Sequence, residues 1–558
     1  MAHKPRAFVV GIDGGSPQLI DAWAAEGKLP AFARLMREGV FGPLESVPNM
    51  RSAAAWTSFM TGRNPGRHGI YEFYEYTPDL QKIRFLKGGD RDGATLWGLL
   101  SAAGRKVGVI NVPMTYPAER VNGFLIAGLD APGRKSRGFA HPPELLAALE
   151  ERFGEYVLEP GLTGHIVAGN TDRAVEALWQ ELDQKAKISN HLAAEKEWDL
   201  FVTVFRSLDA VQHCFWKHMD PEHPFHDPED AKRYGSVILQ AYQRVDRYLG
   251  ELLDQLDEDT SLFVISDHGF GAKHLATTQL NRWLEAEGFL TYRRQGMLAA
   301  LLAAVYGAVV GRTFRGTKER LARFLPFLRN MVQYQLCFSR IDWKRTVAYS
   351  DTLYPTIWIN RKPEGPLGGT ASNEKSREVI EKLRERLADC RDAVTGDPVV
   401  WKVFEKSEIY HEAHADKAPD LLIRWREDLR IHGLAGVKED GSGESTRVPG
   451  ENPQVISGDH RVHGILFARG PSIRRGARVE DANLVDIAPS VLHAMREPVP
   501  RDMDGRVLRE IFEESFFRDH EVQVSEAGGD GSSGQGEVYS DKDEEIIAER
   551  LRGLGYLE

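Results

Sequence analysis

Carboxylates and imidazoles recur in this chain at one kind of place, just past the end of an apolar run. Asp13 follows FVVGI, Asp209 and His213 follow LFVTVFRSL, and Asp267 and His268 follow SLFVIS. His460 and His463, in GDHRVHGILFARGP, precede a further apolar segment. Oxygen and nitrogen donors of these kinds hold divalent cations. Asp209 and His213 are four residues apart, and on a helix opening after the strand that spacing puts both on one face, within reach of one ion. Asp267 and His268 are adjacent and need a turn to aim at one ion, which Gly269 would supply. Taken singly, an Asp after a strand is most often a helix cap or a turn residue; its recurrence along the chain gives the metal reading its weight. The stretch SAAAWTSFMTGRNPGRHGI (52–70) opens a helix with small and hydroxyl residues. A Ser there is a cap or a nucleophile, because helix amides stabilise both an alkoxide and a bound phosphate, and the residues leave the two readings even.

These residues need a scaffold that brings distant segments together. Short β-branched runs, FVVGI (8–12), KVGVINV (106–112), LFVTVF (200–205), SLFVIS (261–266) and DLLIRW (420–425), alternate with amphipathic stretches such as PQLIDAWAAEGKLPAFARLMREG and GSVILQAYQRVDRYLGELLDQL. Continuous apolar strands are those buried on both faces of a parallel sheet. The β-α-β-α order predicts a doubly wound α/β fold, a mostly parallel sheet with helices on both faces. In such a sheet the carboxyl ends of the strands line one crevice, where ligands far apart in sequence converge.

Composition narrows the function classes. The 558 residues are 42% hydrophobic and 27% charged, ordinary for a globular chain. A net charge of −11 argues against a general nucleic-acid binder. Cys214, Cys337 and Cys390 are too few and too scattered for a disulfide framework or a zinc knuckle, and MAHKP runs straight into an apolar stretch too short for a signal peptide. The expected address is the cytoplasm.

The motifs together resemble the alkaline phosphatase superfamily, in particular its type I phosphodiesterase/nucleotide pyrophosphatase branch, over roughly residues 7–280 and 345–500. FVVGIDGG is similar to the family's opening strand with its metal Asp, SLDAVQH to its Asp-x-x-x-His pair, SDHGF to its Asp-His-Gly signature and GDHRVHG to its last ligand segment. The resemblance implies Ser52, nine residues before Thr61-Gly62, as nucleophile. It further implies one metal on Asp13, Asp267 and His268 with Ser52 completing the shell, and a second on Asp209, His213 and His460, with His463 as the alternative. Two divalent ions are therefore expected, Zn²⁺ first and Mn²⁺ or Fe after it. The branch often binds the phosphoryl oxygen with an Asn, and Gln81 stands near that position here. No sulfatase signature follows Ser52. His68 reads as structural, His218, His223 and His226 as a solvated loop, and Trp56 as packing against the nucleophile helix.

The expected organisation is a catalytic α/β core in two parts, 1–290 and 346–515, an inserted helical lid over 291–345, and a Gly/Ser/acidic linker with a short amphipathic helix over 516–558. The lid combines the apolar run Met297–Gly311 with nine basic residues between Arg312 and Arg345 facing only Glu319 and Asp342. The run is too short to span a bilayer. A helix buried under the lid is the favoured expectation; the alternative is peripheral membrane or lipid-linked substrate contact through 297–330. The function expected is a phosphohydrolase cleaving a phosphodiester or pyrophosphate bond of a nucleotide, sugar-nucleotide or lipid-linked phosphate through a covalent Ser52 intermediate. Alternatives are a phosphomonoesterase, a phosphoglycerate-mutase-like phosphotransferase and a non-catalytic binding protein retaining the fold.

Overall fold

The computed structural model describes residues 4–77, 80, 83–293, 338, 340–351, 353–362, 369–437, 455–526 and 539–557. Three of the apolar runs lie side by side near the middle of a ten-stranded, mostly parallel sheet, with Arg6–Ile12 between Leu200–Phe205 and Thr260–Ile265. Val107–Ile110 and Gly123–Ile126 extend the sheet in parallel beyond Leu200–Phe205. On the other side His463–Arg469 runs antiparallel to both Thr260–Ile265 and Val40–Glu45. Every residue of Leu200–Phe205 and Thr260–Ile265 is buried, which is why these runs are apolar without alternation. Helices complete the layers: Thr171–Glu195, Ser207–Met219 and Val237–Gln255 pack on one another, and Ser52–Thr61 packs on Ile487–Ala494. The long amphipathic stretch after the first strand divides at Gly27 and Pro30 into Pro17–Ala25 and Pro30–Glu38.

One expected strand of the parallel sheet belongs elsewhere. Leu421–Trp425, the DLLIRW run, lies in a separate four-stranded antiparallel sheet, between Thr356–Ile359 and Val400–Glu405. It is buried throughout, because this smaller sheet has its own core with Leu280, Trp283, Leu284, Ile380 and Leu383. An apolar run reports burial on both faces and not the direction of its neighbours. Of the expected lid, 294–337 and 339 lie outside the described residues, and with them the 297–330 contact; Phe338, Ile341 and Trp343 at its end are buried in the smaller core.

Residues 539–557 return to the main core. Ser540 caps the helix Asp541–Gly553, accepting a hydrogen bond from the Asp543 amide. Ile547, Leu551, Leu554, Tyr556 and Leu557 are buried in the large core cluster. Each buried aliphatic side chain of this size contributes roughly 1.5–3 kcal/mol, so this segment is packed as part of the domain. Arg550 fastens it by donating to the carbonyls of Leu129, Ala131 and Pro132.

Candidate active site

Register brings the chemistry to one level. Ile12 lies opposite Phe205 and Gly11 opposite Ile265, so the three neighbouring parallel strands end together. Asp13 follows the first, Asp209 stands in the first turn of Ser207–Met219 after the second, and Asp267 and His268 follow the third. Gly14 takes φ +70°, a conformation other residues adopt only at a cost, and its amide donates to Asp267 Oδ1 at 3.2 Å. Gly269 serves differently from the turn expected of it. It begins the strand Gly269–Ala272, and a Cβ there would meet the His463 carbonyl at 2.0 Å, so close approach of backbones requires the glycine.

One donor set is a near-regular triangle. His213 Nε2 and His460 Nε2 each lie 3.2 Å from Asp209 Oδ1 and 3.1 Å from one another. A tetrahedral ion with bonds of about 2.0–2.1 Å places its ligand atoms about 3.3 Å apart, so the three atoms fit one coordination face. His460 reaches this point from Gly458–Arg461, which pairs antiparallel with Gly269–Ala272. His463 is exposed on the next strand, so His460 is the imidazole in the cluster.

The second set converges on His268. Its Nε2 is 3.3 Å from Ser52 Oγ, 3.3 Å from Asp267 Oδ2 and 3.5 Å from Asp13 Oδ1. Ser52 is the first residue of its helix, and the position before it, Arg51, is the cap; no side-chain capping bond is made. The Ser52 hydroxyl faces the carboxylates and imidazoles instead of the helix amides. All three imidazoles are oriented alike. The Nδ1 atoms of His213, His460 and His268 lie 2.8, 2.8 and 3.0 Å from the carbonyls of Gly458, Met50 and Gly269. A carbonyl only accepts, so each Nδ1 carries a proton and each Nε2 is turned to the centre.

The charges of the two sets are unequal. Burial, then the neighbouring Asp267 and Asp209, holds the Asp13 carboxyl well above the usual range. Burial, then Asp209, pushes Asp267 up to about 7. His268 adds no compensating charge, since burial pushes it down to about 4. At Asp209 burial acts upward too, but His213 and His460 outweigh it and the carboxyl lies well below the usual range. Acidic oxygens aimed at one point, with too little positive charge among them, suit divalent cations.

Sequence reasoning missed several groups around this centre. Trp56 is packed as expected but also donates its indole N–H to Asp13 Oδ2 at 3.2 Å. Arg51, buried, pairs with Glu72 and with Asp351 and stacks on Tyr354. Arg206 and Tyr556 also adjoin the site. Arg51 and Arg206 could have been flagged by adjacency, one residue before Ser52 and three before Asp209. Nothing in the sequence marks Tyr556. His68 bridges the Ser58 hydroxyl, 2.8 Å from its Nε2, and the Ile70 amide, which donates to its Nδ1 at 3.1 Å. Gln81 lies outside the described residues.

The strand ends of a mostly parallel sheet thus gather a hydroxyl and two Asp/His donor sets at one place. A family model described as type I phosphodiesterase / nucleotide pyrophosphatase matches residues 7–450, and the chain belongs to that family, within the alkaline phosphatase superfamily. His460 lies just beyond the matched stretch. Two curated relatives align over shorter segments: GPI ethanolamine phosphate transferase 3 of Eremothecium gossypii, 25% identical over 160 residues, and the 2,3-bisphosphoglycerate-independent phosphoglycerate mutase of Chromohalobacter salexigens, 31% identical over 147 residues. These segments are 28% and 24% of this chain and 14% and 27% of the relatives' lengths. Among solved structures, murine ectonucleotide pyrophosphatase/phosphodiesterase 5 in complex with AMP is similar at 16% identity and TM-score 0.47, over 91% of this chain and 100% of that one.

Proposed function

We infer that the chain is a metal-dependent phosphohydrolase that cleaves a phosphodiester or pyrophosphate bond with Ser52 as nucleophile. The observation that carries this reading is the Ser52 hydroxyl, free of capping duty at the opening of a helix and 3.3 Å from His268 Nε2. Asp13, Asp267 and His268 with Ser52 would hold one divalent cation, and Asp209, His213 and His460 the other. The nitrogen-oxygen donors favour Zn²⁺, with Mn²⁺ or Fe as alternatives. Bound there, such cations lower the pKa of a coordinated hydroxyl or water and neutralise phosphoryl oxygens. Ser52 Oγ gives up its proton to solvent and forms a bond to phosphorus while the bond from phosphorus to the leaving oxygen breaks and that oxygen departs with the electron pair. Water then bonds to phosphorus, the Oγ–P bond breaks, and the serine hydroxyl is restored. The helix that Ser52 opens directs its positive end at the transferring group.

The substrate class is a small phosphate ester or diphosphate: a nucleotide, a sugar-nucleotide or a lipid-linked phosphate. A cytoplasmic address is part of the proposal, supported by the free thiols of Cys214 and Cys390, and fractionation of cells tests it. A second reading, transfer to an acceptor other than water, draws support from the two curated relatives, whose names are those of a transferase and a mutase. One panel tests both readings: bis-p-nitrophenyl phosphate, p-nitrophenyl phosphate, nucleotide sugars and p-nitrophenyl sulfate, with and without an alcohol acceptor, with metal content measured on the same preparation. Diester or diphosphate cleavage that tracks bound metal is expected. A metal-free active preparation refutes the mechanism.

A further inference from the structure

Tyr556 stands in the reaction centre although 504 residues separate it from Ser52. Its hydroxyl lies 2.8 Å from Ser52 Oγ and donates to Asp209 Oδ2 at 3.2 Å, so one side chain touches a member of each donor set. The ring is 1% exposed and packs edge-on against Phe73, with centroids 5.3 Å apart. The seat is fixed from several directions. The Tyr556 amide donates to the Leu551 carbonyl, Thr163 donates to the Gly553 carbonyl, and Arg550 holds three more carbonyls of the domain.

Arg206 supplies a second, independent observation. Its guanidinium is buried, neither terminal nitrogen has a hydrogen-bond partner among the described residues, and its charge acts on Tyr556, Asp209 and Asp13. A buried guanidinium with unsatisfied donors gains most from an oxyanion.

We propose that Tyr556 is a catalytic residue that donates its phenolic O–H to a non-bridging oxygen of the phosphoryl group carried by Ser52, with Arg206 as the buried counter-charge. This rests on Ser52 being the nucleophile. An oxygen sharing a phosphorus atom with Oγ falls within hydrogen-bond reach of an atom already 2.8 Å from Oγ. The phenol then exchanges Asp209 for that oxygen, without moving the packed segment. The role belongs to oxyanion stabilisation, in which a preset donor strengthens its bond as charge develops.

The test uses the full chain loaded with metal and the substitution Tyr556→Phe, which keeps the ring and its contact with Phe73 and deletes only the O–H. A lost hydrogen bond to an anion corresponds to about 10- to 100-fold. With bis-p-nitrophenyl phosphate, kcat/KM is expected to fall by that factor. Affinity for inorganic phosphate, measured by calorimetry, should fall about 10-fold, with metal content and Tm unchanged. Unchanged rate and phosphate affinity overturn the proposal. A faster Tyr556→Phe enzyme overturns it also and makes residues 539–557 a plug on the site. Ser52→Ala run beside it separates the layers: an inactive Ser52→Ala with an unaffected Tyr556→Phe refutes only this inference, while an active Ser52→Ala refutes the reading of function beneath it.

Discussion

The two donor sets meet at Asp209, which is within reach of both, and at a stacked pair of imidazoles, His268 and His460, whose ring centroids are 3.7 Å apart, yet they are built on opposite electrostatics. Around Asp209 two imidazoles meet one carboxylate, and the carboxylate is held ionised without help. Around His268 two carboxylates meet one imidazole that stays neutral, and protons take the place a cation would fill. The first set is a pre-balanced cradle; the second is frustrated until positive charge arrives. Ser52 sits in the frustrated set, where a cation would gain most by binding.

The largest expected effect tests that placement. Ser52→Ala should lower turnover by about 10³-fold or more while leaving Tm and most bound metal intact, because a nucleophile is lost and no packing is. Near wild-type turnover would leave the frustrated set without its chemical purpose. Next in size are the ligands. Asp209→Ala or His213→Ala should cost one ion and Asp267→Ala or His268→Ala the other, read by elemental analysis of the purified variants. Within the balanced set His460→Ala should lose metal and His463→Ala should retain it, since His463 faces away.

The sequence allowed the fold class and most of the centre to be read because both depend on local patterns. Apolar runs without alternation mark strands buried on both faces, and Asp209 and His213 share a helix face by spacing alone. What it withheld depends on contacts between distant segments. The DLLIRW run carries the same pattern as the central strands but answers to a different core. Whether the Ser52 hydroxyl turns to its own helix or to the acidic cluster depends on His268, a residue far off in the chain. Tyr556 reaches the centre through a helix whose only local signals are amphipathic spacing and a Ser cap.

A smaller effect separates the two sets by sign. Asp267 is held at about 7 in the folded, metal-free chain against about 3.8 when exposed, so between those values the folded state binds the extra proton. Its contribution to stability is present at low pH and is lost as pH rises toward 7. Asp209 lies below its ordinary value, so its contribution is present at neutral pH and lost on acidification. In metal-free protein at pH 8, Asp267→Asn should therefore raise Tm and Asp209→Asn should lower it, each by a few degrees in calorimetry. Added Zn²⁺ should raise wild-type Tm more at pH 8 than at pH 5, because at pH 5 it must displace protons. Shifts of the same sign in both variants would show that the halves are not electrostatically opposed.

The smallest effect concerns Trp56, whose indole N–H reaches Asp13 Oδ2 at 3.2 Å. This bond does in the frustrated set what the backbone carbonyls do for the imidazoles: it orients a ligand without touching the ion. Trp56→Phe keeps an aromatic ring against Phe59 but removes the only side-chain donor recorded on Asp13 Oδ2 among the described residues. Supporting bonds of this kind are worth about 10-fold in metal affinity. The variant should need about ten times more Zn²⁺ for half-maximal activity, yet reach a similar kcat at saturation, because no reacting atom is altered. A fall in kcat at saturating metal would mean that Trp56 shapes the seat of Ser52 as well. Loss at the Asp209 set instead, read by elemental analysis, would mean that the two sets are one coupled site and that their difference in charge does not divide their work.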